Sequence, residues 1–246
     1  RSFDRFIAIN QKIRQRFVGD LNIPTSKVDL IYSAVDIQRI IDFKATQSTP
    51  EAVRLKLGLP ASSKLFTFVG RLTDQKRPIE FLKIAKSRQG YPDEFYVLVG
   101  DGELAKECVD FIRREKLDNV MRIPYVENTL ELASVTEGLI ITSAYEGLPI
   151  AMIEVLNFAV PVFATDTGDI QNVLDDYAGG RTIPVELGGE SRDIAYAEWI
   201  ASLAQYKASL LAFENDILQR FSSAEIANQY IDCFNKASLG YEEAAS

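Results

Sequence analysis

A chain of 246 residues, 47% hydrophobic and 25% charged, is long enough to bury one large core or two small ones, and it holds no low-complexity run. Its net charge of -8 argues against nucleic acid or anionic lipid as a partner held by bulk electrostatics. The absence of histidine excludes imidazole triads and histidine-ligated metal sites within the chain.

The opening residues, Phe3 to Asn10, read as a strand with a polar lead, and Gln11 to Gly19 as a short helix. A strand with nothing before it to pair with is expected to belong to the sheet of a preceding domain. Asn22-Ile23-Pro24 is a break, Lys27 to Tyr32 a second short strand, and Ser33 to Thr49 a polar connector with a helical turn over Ile37 to Phe43. Glu51 to Leu57 forms a brief helix that Gly58 is suited to cap.

From Lys64 the pattern becomes regular. Strands are predicted at Leu65 to Val69, Phe95 to Val99, Val120 to Ile123, Leu139 to Thr142, Val160 to Ala164 and Arg181 to Ile183. Helices fall between them at Pro78 to Arg88, Glu103 to Glu115, Thr129 to Val135, Pro149 to Phe158 and Ile170 to Asp175. Short apolar strands alternating with helices mean a parallel sheet covered on both faces, so the fold class is α/β, a doubly wound Rossmann-like sheet. After an acidic, Gly-rich patch at Glu186 to Glu190, helices are expected at Ile194 to Tyr206, Ala208 to Arg220 and Ala224 to Lys236, with a frayed tail from Tyr241. No run is long enough to cross a bilayer, and no secretory segment points to export. Cys108 and Cys233 lie far apart in helical patterns, which suits reduced core thiols and a cytoplasmic setting.

The stretch Gly138 to Val160 carries most of the functional signal. A buried strand runs into the polar loop Ser143 to Gly147, and a helix opens near Pro149, where free N–H groups are suited to an anion. Inside that apolar helix sits Glu154, costly to bury unless it meets donors such as the hydroxyls of a ribose. The alternative is a side chain that snorkels to solvent, with Glu146 no more than a loop acid. Further strand ends add groups to the same edge. Gly70, Arg71 and Lys76 follow the first regular strand, giving either a phosphate-binding mouth or an exposed basic turn. Gly100-Asp101-Gly102 follows the second, as a close approach to ligand or an ordinary tight turn. Arg122 to Val126, with Tyr125, follows the third, as the edge of a base pocket or as core packing. Neither GxxxxGK[ST] nor GxGxxG is present. Cations for phosphate and acids for hydroxyls add up to a nucleotide-sugar site.

Gly70-Arg71-Leu72 with Gln75-Lys76, Val99-Gly100-Asp101-Gly102-Glu103-Leu104, Glu146-Gly147-Leu148-Pro149 with Glu154, Val160-Pro161-Val162 and Thr165-Asp166-Thr167-Gly168 resemble the C-terminal half of the GT-B retaining glycosyltransferases, group 1 or glycogen-synthase-like. The resemblance covers about Asp4 to Lys236. It implies that residues 1–59 end a preceding domain and form a linker, that 60–221 form the Rossmann-like donor-binding domain, and that the helix and tail of 222–246 pack back on that preceding domain. It also implies a UDP-, GDP- or ADP-sugar donor and an acceptor carbohydrate or lipid-linked glycan, with no cofactor or metal. Arg71 and Lys76 would bind the donor diphosphate and Glu146 would sit near the sugar. Gly147, Leu148 and Ile150 would offer amides, Glu154 would hold the ribose, and Gly70, Gly100, Tyr125 and Val126 would complete the site. The parent enzyme would be cytoplasmic, with peripheral membrane docking open, and the isolated chain would bind donor without transferring sugar. Ser33-Ala34-Val35-Asp36 departs from the family's Asn-Gly-Val-Asp linker, and Gly168-Asp169 from its Gly-Gly. A nucleotide-binding module or partner subunit without transferase activity stays open beside this reading. So does a nucleotide-sugar epimerase, disfavoured by the lack of histidine.

Overall fold

The computed structural model describes residues 3–46 and 48–245. A small parallel pair opens the chain: β1 (Phe6–Ala8) beside β2 (Val28–Leu30), with α1 (Gln11–Gly19) between them. The connector holds α2 (Ile37–Thr46), and α3 (Pro50–Leu57) ends at Gly58 in the left-handed conformation expected of it.

The main sheet then alternates with helices: β3 (Lys64–Val69), α4 (Pro78–Ser87), β4 (Glu94–Val99), α5 (Ala105–Glu115), β5 (Val120–Ile123), α6 (Thr129–Val135), β6 (Gly138–Ile141), α7 (Ile150–Leu156), β7 (Val162–Thr165), α8 (Ile170–Tyr177) and β8 (Gly180–Ile183). Its six strands are all parallel in the order β5-β4-β3-β6-β7-β8. That order reverses direction between β3 and β6, and ligands of open α/β sheets bind outside the carboxyl ends of the strands at such a switch point. The predicted fold class is the observed one.

Alternation along β3 shows why both faces are covered. Phe66 and Phe68 pack with Phe81, Tyr96, Tyr196 and Trp199 on one face, while Leu65 joins Val53, Val97 and Leu132 on the other. The aliphatic core of α7 and α8 fills the second half of that other face.

Several boundaries differ from the sequence reading for local reasons. β7 starts at Val162, because Pro161 has no N–H to give the ladder and serves as acceptor for the Leu139 amide. Pro149 takes the N-cap position with an extended ψ of 123°, so α7 begins one residue later than predicted. The run predicted as two helices over Ile194 to Arg220 is three: α9 (Gly189–Ala201), α10 (Leu203–Ala212) and α11 (Glu214–Arg220). The first break falls at Ser202, whose hydroxyl turns back to the Glu198 carbonyl. Finally, α12 (Ser223–Ala245) continues through the segment expected to fray, and Ser246 lies outside the described residues. Ile226, Tyr230 and Cys233 of α12 pack on Ile7 and Ile31 beside the β1–β2 pair, so the first and last segments form one layer.

Candidate functional site

The loop after β3 is held mainly by its own main chain. The Gly70 and Leu72 amides donate to the Val99 and Asp101 carbonyls at 3.1 and 2.9 Å, and the Leu104 amide donates to Leu72 at 2.9 Å. Gly100 has φ +144°, and a Cβ there would lie 1.9 Å from the Gly70 carbonyl oxygen. The room this glycine leaves is therefore filled by the neighbouring loop, which is reason enough for a glycine at this position. At Gly70 a Cβ would meet only ordinary contacts, 3.8 Å from the side chains of Lys76 and Phe68, so its packing does not demand a glycine.

The same loop is fastened to the one after β6. The Ala144 amide donates to Gln75 at 2.7 Å, Gln75 Nε2 donates to Tyr145 at 3.0 Å, and the Thr142 hydroxyl lies 2.9 Å from the carbonyls of both Lys76 and Arg77. These ties bring Lys76 Nζ to 2.5 Å from Glu146 Oε1, which also accepts from the Ser143 hydroxyl at 2.6 Å. Two residues predicted for the site thus meet across 70 positions of sequence. Their side chains are 22% and 8% exposed, so the pair is largely shielded from water rather than a surface ion pair. Arg71 is exposed and, among the described residues, makes no ion pair. Beside Lys76 and Glu146 opens a cavity of about 320 Å³ lined also by Phe68, Val69, Leu148 and Ile150. Its size falls at the lower end of ligand pockets, and its walls are apolar with few polar groups, as such pockets are.

The turn into α7 has no side-chain cap. Gly147 gives its carbonyl to the Asp169 amide at 3.1 Å, and Gly168, at φ +56°, packs where a Cβ would lie 2.0 Å from that same oxygen. Asp169 is fully buried. Its carboxylate accepts from the Gln11 amide at 2.9 Å and from the Tyr32 hydroxyl at 2.7 Å. Together with the Asn10 cap on Ile13, this satisfies the first turn of α1 and pins the opening segment beside the site. Burial first, and the Asp169 carboxylate second, push the Tyr32 hydroxyl far above its ordinary pKa. The sequence reading saw Asp169 only as a departure from Gly-Gly; the role as a clamp follows from the fold.

Glu154 does not snorkel. Its side chain is 11% exposed, with Oε1 3.1 Å from Arg39 Nη1 and Oε2 3.0 Å from the Thr129 hydroxyl. The donors that offset its burial come from the chain itself, so a bound ribose is not required to explain it. Arg39 escaped the sequence reading, since nothing local marks a partner 115 positions away. Asn128 and Thr129, at the start of α6, carry only the signal of a helix cap. In the predicted base segment Tyr125 is 77% exposed, Val126 is buried, and Arg122 is committed to Gly100 and Asp101 of the neighbouring turn. Among the described residues no cluster of three or more Cys, Asp or Glu is placed to hold a metal ion, and no helix is long and apolar enough to cross a membrane.

This arrangement has relatives. The chain is 25% identical over 170 residues to the UDP-Gal:alpha-D-GlcNAc-diphosphoundecaprenol alpha-1,3-galactosyltransferase of Escherichia coli, covering 66% of this chain and 42% of that protein. Among solved structures it overlays on a glycosyltransferase of Rickettsia africae ESF-5 with a TM-score of 0.80 at 15% identity, covering 95% of this chain and 63% of the other. It overlays on HepE of Anabaena in complex with UDP with a TM-score of 0.78 at 20% identity, covering 94% and 64%. HepE has also been solved with UDP-glucose. The matched region is thus less than two thirds of each relative's length, and the solved neighbours show the fold alone, that of GT-B glycosyltransferases. A family model for glycosyl transferases group 1 matches residues 51–193, from α3 into α9. The chain belongs to the glycosyl transferases group 1.

Proposed function

We propose that this chain is the donor-binding part of a retaining glycosyltransferase, which moves a sugar from a nucleoside diphosphate sugar to a hydroxyl acceptor. The observation that carries the reading is the Lys76–Glu146 pair beside an apolar-walled cavity at the switch point between β3 and β6. Lys76 and Arg71 bind the diphosphate and offset the negative charge that grows on it as the glycosidic bond breaks. Glu146, released from Lys76 when phosphate arrives, faces the donor sugar. The amides of Gly147, Leu148 and Ile150 meet phosphate or sugar oxygens, with the Gly70 backbone close beside them. Glu154 accepts the ribose hydroxyls, and Tyr125 and Val126 edge the base.

UDP and UDP-glucose bound to HepE support a nucleotide-sugar donor. The acceptor, a carbohydrate or lipid-linked glycan, is taken up by an N-terminal domain that residues 1–59 and α12 help to complete, so this chain alone binds donor without turnover. Two buried, free thiols suit a cytoplasmic setting.

Thermal shift of the full chain with UDP, GDP, ADP and their sugars tests the reading, because a ligand of the folded state raises its melting temperature. One of these raising it is the expected result; none doing so at millimolar concentration contradicts the reading. Retention itself is read from the anomeric configuration of the product made by the full-length enzyme.

A further inference from the structure

Arg39 stands on α2, ahead of the main sheet, yet its guanidinium joins two segments that meet beside the cavity. Nη1 donates to Glu154 at 3.1 Å, and Nη2 donates to Asn128 Oδ1 at 2.8 Å. Asn128 follows shortly after Val126 in the base segment, and Thr129 next to it holds the other Glu154 oxygen at 3.0 Å. Glu154 shares one face of α7 with Ile150, which lines the cavity.

The stoichiometry of this cluster is informative. A carboxylate offers about four lone-pair sites on its two oxygens. Arg39 takes one on Oε1 and Thr129 one on Oε2, so each oxygen keeps a site for one further donor. Two acceptors held side by side with one vacancy each match the paired hydroxyls of a vicinal diol. Arg39 itself is 43% exposed along its side chain, and an ion pair with so wet a partner contributes little to folding. What it does fix is the rotamer of a carboxylate that is itself buried.

Resting on the donor-binding reading above, we propose that Arg39 is a positioning residue for the ribose. It aims the free lone pairs of Glu154 at the 2′- and 3′-hydroxyls and, through Asn128, keeps the base segment in register with them. Selection for ribonucleotides over deoxyribonucleotides then depends on a residue of the connector, outside the sheet that forms the cavity.

The test is an equilibrium titration of the full chain with UDP, GDP and ADP and with the 2′-deoxy counterpart of each. The parent, Arg39→Gln, Arg39→Lys and Asn128→Ala are compared. The parent is expected to prefer the ribonucleotide by on the order of tenfold, the worth of one hydrogen bond to a charged group. Arg39→Gln brings that preference to parity, weakening the ribonucleotide more than the deoxynucleotide, which keeps only the 3′-hydroxyl; Arg39→Lys restores part of it, and Asn128→Ala weakens it. Melting curves establish that each variant is folded, and if Arg39→Gln is not, Asn128→Ala is read in its place. An Arg39→Gln protein that keeps the full preference overturns the assignment and leaves the donor reading standing. One that binds the ribonucleotide more tightly makes Arg39 a competitor and overturns it too. A parent that binds the diphosphates without preferring ribose removes the role of Glu154 and Arg39 together, and a parent that binds none of them sinks the donor reading itself.

Discussion

On the β3 flank of the crevice the loop from Gly70 to Arg77 is fixed by main-chain hydrogen bonds to Val99, Asp101 and Leu104 and by glycines that admit no side chain. On the α7 flank Glu154 is fixed by side chains alone, drawn from α2 and from the start of α6. Main-chain fixing survives most substitutions and breaks only where a Cβ intrudes. Side-chain fixing can be altered one residue at a time at little cost to the fold. Under the proposed function the diphosphate would fall on the rigid flank and the ribose on the tunable one.

Gly100→Ala breaks the first flank and carries the largest expected effect. A Cβ 1.9 Å from the Gly70 oxygen at φ +144° combines overpacking with backbone strain, about 3–5 kcal/mol in all. Urea denaturation should show that loss, with nucleotide binding lost alongside; a loss under about 1 kcal/mol would mean that the two loops move apart freely. Asp169→Ala asks whether the opening segment is held as firmly. It leaves the Gln11 amide and Tyr32 hydroxyl without their acceptor, at about 2–3 kcal/mol. An unchanged denaturation midpoint would show that the clamp contributes nothing.

Glu154→Gln sharpens the contrast from the other side. Its expected cost is about 1–2 kcal/mol in nucleoside diphosphate affinity, read by calorimetric titration, with little change in melting temperature because Arg39 simply turns to water. A large loss of stability with binding intact would make Glu154 a structural residue. The smallest effect lies far from the site. The Arg5 guanidinium, 2.6 Å from Asp29, holds that carboxyl below its ordinary range against the opposing effect of burial. A depressed carboxyl contributes stability above its unfolded pKa of about 3.9, and that stability is lost as pH falls through the lower folded value. Arg5→Gln should therefore flatten the acid limb of melting temperature against pH, and an unchanged limb would remove Arg5 from the account.

The same contrast governs how much the sequence reveals. The sheet is legible because most of its strands are apolar runs bounded by turn residues, and Pro149, Pro161 and Ser202 account for three of the boundaries that differ. Lys76, Glu146 and the glycine turns could be read because a strand end and the helix after it are neighbours in sequence, so their chemistry is written in one short stretch. What Gly100 approaches could not be read, since its partner is the carbonyl of a different turn. Arg39 and Asp169 were illegible for a related reason. Their partners lie 115 and 158 positions away, and the register that brings them together exists only once the chain has folded.

The most direct test of the rigid flank as a diphosphate seat is a titration of Lys76→Ala and the parent chain with nucleoside mono- and diphosphates of one base. If Lys76 seats the diphosphate, the parent favours the diphosphate by on the order of tenfold or more and Lys76→Ala loses most of that margin, with monophosphate affinity nearly unchanged. A Lys76→Ala protein that keeps the full diphosphate margin would contradict it.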